Sequence, residues 1–207
     1  MGTLGHVVPH HACGDSIRER ERNDSSQFGE DGLIEAALER IGITNRWCFE
    51  VGAADGEFFS NTKRLRENGW NCVLIEADQE RFGQLEKLAT NQVRCVHEQI
   101  GPLSLDRILS VAGCPFEPDL GVIDIDGQDF WCWAGLRLYR PRLMLVEFWP
   151  THDAEGTRFI PVLGGDNSQG QAALGPICDL GRAKGYEPIL RTHCNVLFVK
   201  RELLWAT

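Results

Sequence analysis

Four short apolar runs in the chain end in, or run into, acids. Glu50 follows "RWCF", Glu76 closes "NCVLIE", Asp124 and Asp126 fall at the end of "DLGVIDID", and Glu147 sits in "RLMLVEFW". Carboxylates crowded at one edge repel one another unless something positive or hydrogen-donating sits among them. Their recurrence at successive run ends therefore predicts a site for such a ligand. The stretch "EVGAADGEFFSNT" adds two glycines. Gly52 and Gly56 let the backbone approach a ligand closely and adopt left-handed conformations. The pattern G-A-A-D-G lacks the third glycine of a dinucleotide fingerprint, and no P-loop lysine follows. Asp55 in the turn would oppose a pyrophosphate, so a nicotinamide-dependent oxidoreductase is disfavoured. A cationic or neutral adenosine compound suits an acidic turn better. Glu76, at the end of the next run, is placed to accept the two ribose hydroxyls of a nucleoside.

Further candidates lie beyond these. Asp124 and Asp126, two apart on a predicted strand, share a face. With Glu147 they offer oxygen ligands for Mg²⁺, and the alternative is a set of hydrogen-bonded helix caps. His152, just past the "RLMLVEFW" run, has a side chain that titrates near neutrality and suits a general base; the alternative is a solvent-facing loop histidine. His97 reads as a packed strand residue. Trp149 and the aromatics of "DFWCWAG" offer walls for an acceptor pocket, although Phe130 and Trp133, at helical spacing, read as core.

The elements that must position these residues alternate. "GEDGLIEAALERIG" (29–42) places Leu33, Ile34, Ala37, Leu38 and Ile41 on one helical face, with Gly42 as its stop. Strands are predicted over 46–51, 71–77, 92–100, 119–126 and 142–149. Helices are predicted within 61–70, 79–90, 103–113 and 128–138. Strands separated by helices imply parallel pairing with right-handed crossovers, hence a three-layer Rossmann-like α/β sheet. A helix over 171–184 precedes "YEPILRT" and "CNVLFVKREL", whose connection is too short for a crossover and predicts an antiparallel pair. That makes seven strands, mostly parallel. Residues 1–25 read as a loose N-terminal arm, residues 26–207 as one domain, and the Gly-, Asp- and Asn-rich 151–170 segment as a loop or lid.

Composition narrows the class. Thirty acids against 21 bases give a net charge of −9, which repels a polyphosphate, so nucleic acid is not an expected partner. No apolar run approaches the roughly 20 residues that span a bilayer, and "MGTLGHVVPHHACG" lacks the basic start and apolar centre of a secretion signal. A cytoplasmic protein without a membrane partner is expected. The eight cysteines are scattered without a CxxC pair and read as reduced core thiols. His10, His11 and Cys13 read as terminus, without a matching ligand cluster.

The segments "SQFGEDGLIE", "EVGAADGEFFSNT", "VLIEAD", "IDIDGQDFW" and "PRLMLVEFWP", in this order over residues 26–150, resemble the S-adenosylmethionine-dependent methyltransferases, in particular the FkbM-like group. The tail "GYEPILRTHCNVLFVKREL" is similar to the closing strands of such chains. The resemblance implies the class I methyltransferase fold, with an antiparallel last strand, and S-adenosyl-L-methionine as cofactor. It implies that Glu50, Gly52, Ala53, Asp55 and Gly56 form the first motif, which cradles the cofactor's methionine part and sugar. It places Glu76 on the ribose, with Ala77 and Asp78 beside it, and Ser60 and Asn61 in the "SNT" that follows the glycine turn. Gln27 and Glu30 would close over the amino-acid end, and Gln99 and Ile100 would flank adenine. Asp124 would lie near the cofactor amino group and the acceptor. The implied reaction is O-methylation of a hydroxyl on a small metabolite such as a sugar or polyketide; Asp124, which the resemblance points to, and Asp126 and His152, from their positions, are the expected catalytic residues. The expected partners are that small-molecule acceptor and, at most, further copies of the chain as a homo-oligomer. A non-catalytic cofactor-binding module on the same fold is the alternative. Residues 151–170 match nothing in the group, so the acceptor is not named.

Overall fold

The computed structural model of the protein describes residues 16–152, 157–165 and 170–204. Its strands are β1 (Trp47–Val51), β2 (Asn71–Glu76), β3 (Val93–His97), β4 (Leu120–Ile123), β5 (Leu143–Glu147), β6 (Tyr186–Arg191) and β7 (Asn195–Lys200). They form one sheet in the order β3-β2-β1-β4-β5-β7-β6. The first five pair in parallel, and β7 runs antiparallel to both β5 and β6. β6 therefore points the same way as β1–β5. The seven strands and the antiparallel closing pair are as expected from the sequence.

The helices are α1 (Glu30–Ile41), α2 (Lys63–Glu67), α3 (Gln79–Leu85), α4 (Leu105–Val111), α5 (Asp129–Gly135) and α6 (Leu174–Ala183). Successive strand residues alternate between two cores. Phe49, Val51, Val73 and Ile75 pack with residues of α4, α5 and α6. Cys48, Cys72 and Leu74 pack on the other face with α1, α2 and α3. The helices thus change face between β3 and β4, and the strand order reverses between β1 and β4. Trp133 and Phe198 are fully buried at 4.8 Å between ring centroids. Seven of the cysteines are free thiols, and all but Cys95 are buried; Cys13 lies outside the described residues, as do His10 and His11.

Several boundaries differ from the sequence reading. β3 ends at His97 rather than at 100, and β4 ends at Ile123 rather than at 126. Asp124 and Asp126 therefore do not share a strand face. Fully buried Asp129 accounts for the break, because its carboxylate accepts the backbone N–H groups of Ile125 at 2.8 Å and Gly127 at 3.0 Å. These bonds draw 125–127 into a turn in which Asp126 takes a φ of 55°. His97 is not packed in the core. β3 is an edge strand, and the exposed imidazole stacks on Phe82 with Nε2 3.0 Å from the Ala77 carbonyl.

Residues 1–15 lie outside the described residues, but 16–25 are not loose. Ile17 is buried, and the buried Asp31 carboxylate accepts the N–H groups of Asp24, Ser25 and Ser26 at 2.7–2.9 Å. Gly32 has no room for a side chain, since a Cβ there would stand 1.8 Å from the Arg20 carbonyl oxygen. The segment is strapped to α1 by polar bonds that hydrophobic periodicity does not report.

Candidate active site

The carboxyl ends of β1, β2, β4 and β5 surround a cavity of about 590 Å³, within the usual range for small-molecule sites. It sits at the β1/β4 reversal, where open α/β sheets bind their ligands. Two close contacts build its floor. Gly52 has a φ of 83°, and a Cβ there would stand 1.7 Å from the Asp124 carbonyl oxygen, so only glycine lets the β1 turn lie against the end of β4. The Gly52 and Ala53 N–H groups both donate to the Ile75 carbonyl, at 2.9 and 3.0 Å. Ala54, Phe59 and Asp126, all on the cavity wall, carry positive φ values of 48°, 56° and 55°. Such conformations in non-glycine residues concentrate at functional sites.

Two buried glutamates organise the wall. Glu76 accepts the Ala54 N–H at 2.8 Å through one oxygen, and the Ala77 and Asp78 N–H groups at 2.9 and 2.7 Å through the other. The carboxylate is thereby fixed against the glycine turn, on the cavity wall. Glu50 accepts from the Ser60 and Thr62 hydroxyls at 2.8 and 2.6 Å and from the Asn61 N–H at 2.8 Å. Its burial raises its pKa against these bonds. Glu50 thus anchors the "SNT" loop as well as lining the cavity.

Asp124 and Glu147 are hydrogen-bonded to each other. Burial, and then the neighbouring Asp129 charge, lift Asp124 to about 7. Burial, and then the charge of Asp124, also raise Glu147, so the pair holds a proton between its two carboxyls. Gln171 donates its amide to Glu147 Oε2 and, at 3.4 Å, to Asp126 Oδ1. Burial also raises Asp129, to about 6.

Most of the sequence-derived site comes together here. Gln27, Glu50, Gly52, Ala53, Asp55, Ser60, Glu76, Ala77, Asp78, Gln99, Ile100, Asp124, Asp126 and Glu147 line the cavity. Three expected cofactor residues do not. Glu30 is buried elsewhere, accepting from the Thr192 hydroxyl at 2.7 Å and the Phe28 N–H at 2.7 Å. Gly56 faces α3, where a Cβ would meet Leu85 and Leu88 at 2.8 and 2.6 Å. Asn61 contributes its backbone to Glu50, and its side chain is buried off the cavity. His152 ends a 3-10 turn past β5, and its side chain lies outside what is described. Asp78 both lines the cavity and caps α3, accepting the Arg81 N–H at 2.8 Å. Phe58, Phe59, Arg81, Glu98 and Gln128 line the cavity without having been singled out in the sequence. Gln171, read from the sequence as the start of the 171–184 helix, instead precedes α6, which begins at Leu174. Asp129 was discoverable, as the third acid of "DIDGQD" standing at a helix start.

The Mg²⁺ expectation is not met. Among the described residues no cluster of three or more His, Cys, Asp or Glu side chains is arranged to hold a metal ion. Asp124 and Glu147 share a proton, and the Gln171 amide donates where a cation would sit between Glu147 and Asp126. The donor set does fit a cationic nucleoside. Among the described residues eight acids line the cavity against one basic residue, Arg81, and Glu76 presents its carboxylate on that wall.

Strand order, the reversed β7 and a ligand-sized cavity at the β1/β4 reversal define the class I methyltransferase fold. Solved structures agree. An O-methyltransferase from Bacillus cereus, in complex with SAH, is similar over 94% of this chain and 93% of its own, at 15% identity and a TM-score of 0.54. A TehB-like SAM-dependent methyltransferase from Corynebacterium glutamicum is similar over 91% of this chain and 98% of its own, at 15% identity and a TM-score of 0.50. At such identity the likeness shows the fold. No protein-family model matches the chain, and no curated protein sequence matches it; the FkbM-like resemblance rests on its motifs. Among the described residues no helix is long and apolar enough to cross a membrane.

Proposed function

We propose that the protein is an S-adenosylmethionine-dependent methyltransferase acting on a hydroxyl of a small molecule. The observation that carries this is the acidic cavity at the β1/β4 reversal, with Glu76 held by three backbone N–H groups beside the Gly52 turn. When bound, the cofactor supplies a methyl group already activated by a cationic sulfur. The chain supplies the rest. Glu76 accepts the ribose hydroxyls, and Gln99 and Ile100 flank the base. Glu50, Asp124 and their neighbours offset positive charge on the cofactor's amino-acid end and sulfur. Phe58 and Phe59, an exposed edge-to-face pair at 5.8 Å on the cavity wall, offer apolar surface to the ligand. Asp124, with a pKa near neutrality, is the group placed to take the proton of an acceptor hydroxyl. Alignment of acceptor and methyl donor does most of the catalytic work in such a site.

Calorimetric titration with S-adenosylhomocysteine tests the reading. The intact protein is expected to bind it, and Glu76→Ala to bind about 100-fold more weakly, since two charge-assisted hydrogen bonds are lost. No binding by the intact protein would end the proposal. Binding without transfer to any of a broad acceptor panel would favour a non-catalytic module instead.

A further inference from the structure

Two phenylalanines stand on the cavity wall with their side chains largely in solvent. Phe58 is 73% and Phe59 57% exposed, and their rings meet edge to face at 5.8 Å. Neither belongs to the core. Phe59 moreover holds a φ of 56°, a left-handed conformation that is costly for a bulky residue and that glycine or asparagine adopts readily. A strained backbone that presents an exposed ring at a cavity points to a ligand. We propose that Phe58 and Phe59 bind the aromatic ring of the methyl acceptor, which is an aryl compound bearing a hydroxyl rather than a sugar. This choice of acceptor rests on the methyltransferase reading; the aromatic platform itself does not.

The chain places the platform at the transfer end of the cavity. Ser60, next to Phe59, donates its hydroxyl to Glu50 at 2.8 Å, and β1 pairs with β4, whose end leads into Asp124. The Asp55 carboxylate accepts the Glu57 and Phe58 N–H groups, both at 2.9 Å, and so fixes the approach to the ring pair. Gln99 and Ile100, which flank the base in the methyltransferase reading, follow β3, two strands away from β1.

The polar side chains at the transfer end are committed to the protein itself. Gln128, on the cavity wall after β4, gives its amide to the Val162 and Gly165 carbonyls and the Gly164 N–H. Gln171 Nε2 donates to Glu147 and, at 3.4 Å, to Asp126, and the Asp126 N–H donates to Glu147 at 3.3 Å. A sugar brings several hydroxyls, each costly to leave unpaired. An aryl alcohol brings one, and Asp124 is placed for it. The turn that Gln128 holds adds two exposed apolar side chains, Ile160 and Leu163, beside the cavity. An aromatic ring laid against two rings set at 84° meets one by its face and the other by its edge, the two favoured geometries.

The test titrates the full chain, saturated with S-adenosylhomocysteine, with 2-naphthol and, separately, with methyl glucoside, followed by calorimetry or ligand-observed NMR. Both titrations are repeated without S-adenosylhomocysteine. Saturable binding of 2-naphthol is expected, tighter than that of methyl glucoside by about tenfold or more. In Phe58→Ser/Phe59→Asn, where asparagine suits the left-handed backbone, 2-naphthol is expected to bind roughly tenfold more weakly, with a circular dichroism melt no lower than that of the wild type. Ile160→Ser/Leu163→Ser is expected to weaken it about threefold and to leave the affinity for S-adenosylhomocysteine unchanged; no change there removes the turn from the site. A smaller preference over methyl glucoside, or equal 2-naphthol binding by the wild type and the phenylalanine variant, overturns the proposal, and if S-adenosylhomocysteine still binds, the methyltransferase reading survives it. Binding of 2-naphthol that is lost in the phenylalanine variant, by a protein that fails to bind S-adenosylhomocysteine, would leave the aromatic platform standing and remove the methyltransferase reading on which its acceptor role depends.

Discussion

Replacing Asp124 by Asn tests the electrostatics of the site through folding alone. Asp124 is lifted from 3.8 to about 7, chiefly by burial. Between these values the folded protein holds a proton that the unfolded chain has released, so stability falls as pH rises. From about pH 5 to about pH 8 the loss from this group alone has a ceiling of roughly 3 kcal/mol, at 1.36 kcal/mol per unit. Asp124 is only half-buried and faces the cavity, so solvent screens part of this and roughly 1–2 kcal/mol is expected. Asn cannot titrate, and its replacement of Asp124 also removes the charge that helps lift Glu147. The pH dependence of the variant should therefore be flatter than that of the wild type by at least that amount. Urea unfolding of both proteins at about pH 5, 6.5 and 8 measures the difference. Parallel pH dependences, or a wild-type stability that rises with pH across this window, would refute the reasoning.

Two further substitutions probe the frame of the site. Gly52→Ala must fit a Cβ 1.7 Å from the Asp124 carbonyl at a φ of 83°; the expected cost is about 2 kcal/mol or more, read as a melting temperature lower by roughly 5 °C or more, and an unchanged melt would contradict the close packing of the turn. Gln128 grips the 162–165 turn, with Nε2 donating to the Val162 and Gly165 carbonyls at 3.1 and 3.3 Å and Oε1 accepting the Gly164 N–H at 3.0 Å. Gln128→Ala is expected to speed limited proteolysis within 157–165 about fivefold, while the Trp131 bond to the Pro161 carbonyl at 2.8 Å remains.

The sheet was legible because buried parallel strands announce themselves as short apolar runs and their crossovers as helical periodicity. The cavity wall was largely legible too, since Glu50, Glu76, Asp124 and Glu147 punctuate those runs. The failures have a common physical origin. Whether a polar residue turns toward a ligand or toward its own backbone depends on partners distant in sequence. Glu30 finds Thr192, and Asp129 finds the N–H groups that end β4 early. Asp119, fully buried, accepts the N–H groups of Thr44, Asn45 and Arg46 and pairs with Arg142 at the opposite end of β4. Asp119 opens its apolar run where the four site acids close theirs, and only that position sets it apart in the local pattern. Gln171 is likewise brought to Glu147, 24 residues away in sequence, by the return of the chain into α6.

The account stands most directly on a crystal structure of the chain grown with S-adenosylhomocysteine. It predicts ligand density in the cavity at the β1/β4 reversal, with both ribose hydroxyls on the Glu76 carboxylate and the amino-acid end toward Glu50 and Asp124. Density on another surface, or a ribose that leaves Glu76 bound only to its three backbone N–H groups, would contradict it.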